Sequence, residues 1–398
     1  MTETVIKTKA TEAKLTIDPL TQEIVSELVS TAGPCITVIL PPYRPGERGK
    51  PAAAILKMDL QEAARKLAAR KVPEALATEL LEPLHQLSHE EGALGGSGFA
   101  RAIFRSHGVF QQFELKIPPS PAQACIVGDC FCVRPILQSL ALPQKVYVLD
   151  VSKKSVGLLA CATNHVSPVE LPKGTPKTLE DTLGFDAPDH DLINRSSAGP
   201  STGAMRGVQF GTGYGNEAEH AHLHDFYRAV DRGVNQLLRS SGTPLILAGV
   251  EEDVAIYRAV NTYPDLAEQA IPGSPGEPMT RIRILHQAHD IALFGYERRA
   301  ALRMGVAKER FAPARFSVDL DAILRAAAEG RVSDLYLDEN GQRIGTFEGK
   351  IFGGHGNWHN EDLLNVAAVE TLLGGGAVYS LASHLMPGGA VAAATFRY

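Results

Sequence analysis

Cysteine is scarce in this 398-residue sequence, and its five copies, Cys35, Cys125, Cys130, Cys132 and Cys161, are odd in number. Most sit within apolar runs, which excludes a disulfide framework and fits reduced, buried thiols. Cys130 and Cys132 are two residues apart, the spacing of neighbours on one face of a strand and not of the paired CxxC knuckles of a zinc site. No apolar run approaches the roughly 18 residues that a membrane helix needs. The first twenty residues, MTETVIKTKATEAKLTIDPL, lack the apolar core of a signal peptide, so a cytoplasmic chain with no membrane partner is expected. The formal net charge is −6, which excludes indiscriminate nucleic-acid binding by the whole surface but not by a local patch. There is no GxSxG elbow for a serine nucleophile and no HExxH metal helix. The glycine-rich Gly92–Gly98 is not followed by Lys-Ser/Thr and precedes a strand-like run, so it is a turn and not a phosphate loop.

What is present is a chain long enough for two or three domains at roughly 100–200 residues each. The first stretch, about 1–140, has a short helix over Ile24–Val29 and a buried strand in CITVIL that ends at Pro41-Pro42. Two amphipathic helices follow over Ala52–Lys71 and Ala75–Leu87, then strands in FARAIF, GVFQQFELKI and CIVGDCFCV, with Pro135–Leu142 as a connector. The second stretch, about 141–280, opens with a hairpin from KVYVLDV and VGLLACA and a third strand within Thr163–Leu171. It continues with an amphipathic helix through Phe226, Val230, Val234, Leu237 and Leu238, the buried strand PLILAGV and the helix DVAIYRAVN. A hairpin followed by alternating helix and strand implies a mixed sheet. The third stretch, about 281–398, begins with one long helix over Ile282–Met304. FSVDLDAILRAAAEG follows as helix, SDLYLD and RIGTFEG as strands about a DENGQ turn, NEDLLNVAAVETLLGGG as helix, and AVYSLAS and GAVAAATFRY as closing strands. The fold class is therefore α/β in several domains, the last a small α/β/α layer.

Three groups of residues invite chemistry. Between the third strand and the Phe226 helix lies Ser196–Glu219, SSAGPSTGAMRGVQFGTGYGNEAE, too glycine-rich and too poor in large apolar side chains to form a core. Long irregular loops inside compact domains tend to be functional or disordered. His220, His222 and His224 follow at once, and His220 with His224 stand at the i,i+4 spacing of metal ligands, with Glu217, Glu219 and Asp225 nearby. A zinc or other divalent site there would make the chain a metal-dependent hydrolase or metal-binding protein. His355 and His359, flanking the single tryptophan Trp358, form a second such pair, for which a loop closed by an Asn360 N-cap is the plainer account. Asp150 ends the first central strand, and Asp181, Asp186, Asp189 and Asp191 follow in polar chain, the ingredients of a nuclease only if the fold gathers them. From Arg281 to Arg315 the local charge is strongly positive, either a solvated helix face or a phosphate-contacting one.

The order of PCITVILPPYR, GFARAIF with FELKIP, VRPIL…VYVLDVSKKSVGLL, FYRAVDRGVNQLL before PLILAGVEEDVAIYRAVN, and AVYSLAS…GAVAAATFRY resembles the bacterial branch of the archaeo-eukaryotic peptide-chain release factor family, relatives of eukaryotic termination factor and of Pelota. The resemblance implies a divergent N-terminal domain (1–140), a central domain of ribonuclease-H-like topology carrying the 196–219 loop (141–280), and a linking helix with an L7Ae-like domain (281–398). It also implies the ribosome and its rRNA as partners and no cofactor. In termination factors a Gly-Gly-Gln loop stands before the central helix. The match here is Gly207-Val208-Gln209, which would give Gln209 and Gly207 the catalytic positions for peptidyl-tRNA hydrolysis. Val208 departs from the pattern: a β-branched residue disfavours the backbone conformations that consecutive glycines permit. A Pelota-like role, binding the ribosomal A site without catalysis in rescue or hibernation under stress, needs no such glutamine. The resemblance then makes Arg206, Arg298, Arg299, Arg303, Lys308 and Arg310 the RNA-contacting candidates, through phosphates more than bases.

Overall fold

The structure, a computed structural model, describes residues 18, 20–42, 52–90, 94, 99–116, 124–152, 155–162, 165–183, 213–239, 241–273, 281–310, 315–347 and 358–398. In chain order the elements are α1 (Gln22–Ser30), β1 (Cys35–Leu40), α2 (Ala52–Ala69), α3 (Glu74–His89), β2 (Ala100–Ser106), β3 (Val109–Leu115), β4 (Cys125–Gly128) and α4 (Arg134–Ala141). Next come β5 (Lys145–Val151), β6 (Gly157–Ala162), β7 (Val166–Val169), α5 (Leu179–Leu183), α6 (Gly213–Leu238), β8 (Leu245–Gly249), α7 (Glu251–Val260), β9 (Leu266–Pro272) and α8 (Arg281–Arg310). The chain closes with β10 (Phe316–Ser317), α9 (Leu320–Ala328), β11 (Val332–Asp338), β12 (Ile344–Phe347), β13 (Trp358–Asp362), α10 (Leu363–Leu373), β14 (Ala377–Leu381) and β15 (Ala392–Phe396). The mixed α/β, multi-domain class expected from the sequence is what these elements form. They divide into two compact units, one of residues 1–144 with 292–398 and one of residues 145–291.

In the first unit, β3-β2-β1-β4 form an antiparallel sheet. Its period-2 pattern serves two faces, because successive side chains of a strand point opposite ways. Ile36, Val38 and Leu40 join Leu56, Leu60 and Leu84 of α2 and α3 on one side. Cys35 and Ile39 face the other, where Leu28 of α1 and Phe104 and Phe113 continue into α9, α10 and their sheet. That second sheet runs β10-β15-β11-β14, with β11 and β14 parallel and the remaining pairs antiparallel. Helices α9 and α10 cover one face through Ile323, Leu364 and Val366. Ala300 and Met304 of α8 cover the other, against Tyr336, Leu381 and Ala393, giving an α/β/α layering. Gly374 caps α10, and Gly375 takes φ +71°, a left-handed turn that suits glycine, so the triple glycine stops the helix as its composition implies.

Polar side chains bind the early and late parts of this unit together. Asn365 accepts from the backbone N–H of Val133 (2.9 Å) and donates to the Phe131 carbonyl (3.0 Å). Arg134 donates to Asp362 (2.6 Å) and to the Asp338 carbonyl (2.7 Å). Glu361 pairs with Arg70 (2.8 Å) and accepts from the backbone N–H of Asp129 (2.9 Å). Of CIVGDCFCV, read as a strand, only Cys125–Gly128 is one (β4), and the connector read over Pro135–Leu142 is the helix α4, with Pro135 at the first turn where its missing N–H costs nothing. Asp362 and not Asn360 caps α10, its carboxylate accepting from the Leu364 N–H (3.2 Å) after the extra strand β13. The five cysteines are free thiols, and burial pushes Cys35, Cys125 and Cys132 up to about 12, which makes them inert as nucleophiles.

The second unit has one mixed sheet in the order β7-β6-β5-β8-β9. Strands β5, β6 and β7 pair antiparallel, whereas β5, β8 and β9 run parallel, the crossovers being made by the segment with α6 and by α7. Strand β9 and the short α5 are additions to the elements read from the sequence. No helix among the described residues is long and apolar enough to cross a membrane.

Candidate functional site

Helix α6 dominates the second unit, and its seating explains what precedes it. Leu223, Phe226, Tyr227, Val230, Val234 and Leu238 are buried at spacings of three and four, the single stripe by which a helix packs on a sheet. Asp231, 3% exposed, accepts from the Thr262 hydroxyl (2.6 Å) and backbone N–H (3.2 Å) and from the Tyr257 hydroxyl (3.4 Å). Asn235 donates to the same Thr262 oxygen (3.0 Å). A Cβ on Gly233 would collide with the Thr175 side chain, so glycine is what lets the 172–178 segment lie against the helix. The helix is thus held along its later two-thirds.

It begins at Gly213, which corrects the reading of Ser196–Glu219 as one loop. Glu217, Ala218, Glu219 and Ala221 are good helix formers with no proline among them, and they extend the helix back into the glycine-rich stretch. Arg206, Gly207, Val208 and Gln209, together with Asp186, Asp189 and Asp191, lie outside the described residues. His220 and His224 both fall on α6, at i,i+4; His222 is exposed and His224 half-buried. Among the described residues no three His, Cys, Asp or Glu side chains gather to hold a metal ion. Asp181 is a local cap, accepting from the N–H groups of Lys177 and Thr178 (2.9 Å each), and those bonds lower its pKa. Asp150 stands at the end of β5 with its pKa raised by burial. Nearby, burial and then the charge of Asp253 raise the Tyr227 hydroxyl.

On α8 the basic candidates separate by direction. Arg298, Arg299, Arg303, Lys308 and Arg310 are all exposed. At 100° per residue Arg299, Arg303 and Arg310 share one flank, while Arg298 and Lys308 point elsewhere. Arg303 is committed within the fold: it pairs with Asp334 of β11 (2.9 Å) and stands 6.0 Å from the centre of the Tyr379 ring, which stacks on Tyr336 at 5.1 Å. Its pKa is raised, first by Asp334. That Asp334–Arg303–Tyr379 arrangement is a contact that sequence reasoning missed, because nothing in the spacing of α8 and β11 announces it.

Residues 146–292 match the family described as Bacterial archaeo-eukaryotic release factor family 7. No curated protein matches the chain. Among solved structures, the chain is similar to the archaeal translation termination factor aRF1, with 12% identity, 95% of this chain and 99% of that chain covered, and a TM-score of 0.23. It is similar to Archaeoglobus fulgidus Pelota at 14% identity, covering 75% and 79%, with a TM-score of 0.34. It is also similar to a chain of the assembly of ribosome-bound archaeal Pelota and ABCE1, at 11% identity, covering 96% and 95%, with a TM-score of 0.32. The family match covers the unit built from the mixed sheet and α6 and does not extend beyond Ala292 into the other unit.

Proposed function

We propose that the chain is a ribosome-associated translation factor of the release-factor and Pelota kind that binds in the ribosomal A site without catalysis, in ribosome rescue or hibernation under stress. The observation that carries this reading is the family match over residues 146–292 combined with a broken tripeptide, Gly207-Val208-Gln209, ahead of α6. A β-branched residue in the middle position opposes the backbone that a catalytic glutamine loop requires. The anchored α6 supports a presenting role: it fixes one end of the loop from Leu223 onward through Asp231 and Thr262. In the same proposal the layout follows 1–140, 141–280 and 281–398, the last segment acting as an L7Ae-like RNA-contacting part. Arg206, ahead of α6, and Arg298, Arg299, Lys308 and Arg310 on α8 are the phosphate contacts in this proposal, while Arg303 is held by Asp334.

Two assays test it. The full chain is expected to sediment with ribosomes at low salt and to leave them as salt rises, the mark of phosphate contacts. Ribosomes loaded with peptidyl-tRNA are expected to release no peptide on its addition, and Gln209→Ala to change nothing. Peptide release that Gln209→Ala abolishes would overturn the non-catalytic reading while leaving the ribosome as partner.

A further inference from the structure

Helix α6 is seated on its sheet by one face, and the opposite face has a composition of its own. Arg228, Arg232 and Arg239 follow one another there at steps of four and seven, which at about 100° per residue keeps the three within about 40° of one another. The buried Phe226, Val230 and Val234 lie half a turn away. All three arginines are exposed, in a chain whose net charge is −6. The residues beside them, Ala229, Asn235 and Gln236, are small or polar, so this line offers an apolar partner or a lipid tail nothing to bury.

The guanidinium groups of this line are not spent inside the fold. Arg228 meets Asp225 at 3.5 Å, with the two side chains 65% and 67% exposed, an arrangement that is worth little in water. No described residue makes an ion pair or a side-chain hydrogen bond with Arg232 or Arg239. Two nearby carboxylates are engaged elsewhere: Asp231 is held by Thr262 (2.6 Å), and Asp181 of α5 by the N–H groups of Lys177 and Thr178 (2.9 Å each). The backbone under the line is fixed from both flanks. Asp231 and Asn235 bind Thr262 on one side, and Thr175 closes on Gly233 on the other.

From Arg228 to Arg239 the line runs about 17 Å along the helix axis. One strand of a nucleic-acid duplex carries a charge about every 3.4 Å of its axis, so the line spans about five phosphates. Arginine presents its donors in a planar fork that matches phosphate geometry, which a lysine does not. We infer that the outward face of α6 is a phosphate-contacting RNA surface, with Arg228, Arg232 and Arg239 as its contacts. The inference rests on the ribosomal reading and adds to it a surface that the arginines of α8 and the stretch ahead of α6 do not include.

Cosedimentation of the full-length chain with ribosomes over a salt series tests it. Arg232→Ala and Arg239→Ala are each expected to lower the slope of log affinity against log salt by about 1, and R232A/R239A by about 2. The double variant is expected to bind at low salt more weakly by roughly tenfold or more. Gln236→Ala, on the same face, is expected to match the wild type, and circular dichroism of each variant confirms the fold. Photocrosslinking on ribosomes through Gln236→p-benzoylphenylalanine identifies the partner, and the expected adduct is to RNA and is removed by ribonuclease. A wild type that never pellets with ribosomes overturns the ribosomal reading and this inference with it. A wild type that pellets while the arginine variants keep its slope and affinity overturns this inference alone, as does an adduct to a ribosomal protein.

Discussion

Replacing Arg134 by methionine tests the polar bridge inside the first unit. The guanidinium is 3% exposed and Asp362, its partner at 2.6 Å, is 8% exposed. Methionine keeps the length and apolar stem of the side chain but removes the charge, so the Asp362 carboxylate stays buried with no counter-charge and the Asp338 carbonyl keeps only the Gly341 N–H as donor. Breaking a buried pair from one side costs about 3–5 kcal/mol, most of it the penalty for the charge left behind. Asp362→Asn keeps an oxygen to accept from the Leu364 N–H and so preserves the cap of α10. The double variant R134M/D362N should therefore be less destabilised than Arg134→Met plus Asp362→Asn added together, with a coupling above about 1 kcal/mol. Guanidinium unfolding followed by tryptophan fluorescence reads this directly, since the only tryptophan, Trp358, lies in β13, the strand that ends at Asp362. A cost for Arg134→Met below about 1 kcal/mol, or strict additivity, would refute the bridge as a source of stability.

Three further outcomes follow from particular groups. Asp59, on α2, is half-buried and its pKa is raised from 3.8 to about 6, chiefly by burial. Its folded-state value lies above the unfolded one, so its contribution to stability is present below pH 3.8 and is lost as pH rises through about 6. Asp59→Asn should then gain on the wild type across that window in unfolding midpoints measured at a series of pH values; parallel curves would contradict it. Thr262→Val removes the short bond to buried Asp231 and should destabilise the second unit by about 1–3 kcal/mol, read by chemical unfolding, whereas exposed Arg228→Ala should change it by less than about 0.5. On α8, Arg299→Ala and Arg310→Ala should each lower the salt slope of ribosome binding by about 1 and leave stability alone. Arg303→Ala should instead lower the melting temperature by releasing Asp334 and Tyr379, and a pattern the other way round would reassign the helix.

The elements that local pattern controls were legible in the sequence. CITVIL, FARAIF and VGLLACA read as strands because β-branched and aromatic runs with turn residues at each end leave little choice, and α2, α3 and α9 show their stripes openly. What escaped depends on partners distant in sequence. Strand β9, LAEQAIP, has a polar half-exposed pattern and exists because β8 offers it an edge. Strand β13 is dominated by polar residues and exists as the partner of β12. Asn365, Asp362 and Glu361 read as the polar start of a helix, yet they reach more than 200 residues back to Val133, Arg134 and Asp129. The candidate site divided the same way. The place of the glycine-rich stretch before a long amphipathic helix was readable, while the start of that helix at Gly213 and the engagement of Arg303 with Asp334 were not.

The central claim is tested most directly by cosedimentation of the purified full-length chain with ribosomes at about 50 mM and about 200 mM salt, beside a variant lacking Ala198–Thr212, the stretch ahead of α6. The account predicts that the intact chain pellets with ribosomes at the lower salt and is largely released at the higher, as a few phosphate contacts require. It predicts too that the loop deletion weakens binding without unfolding either unit. A chain that remains in the supernatant at the lower salt would contradict it.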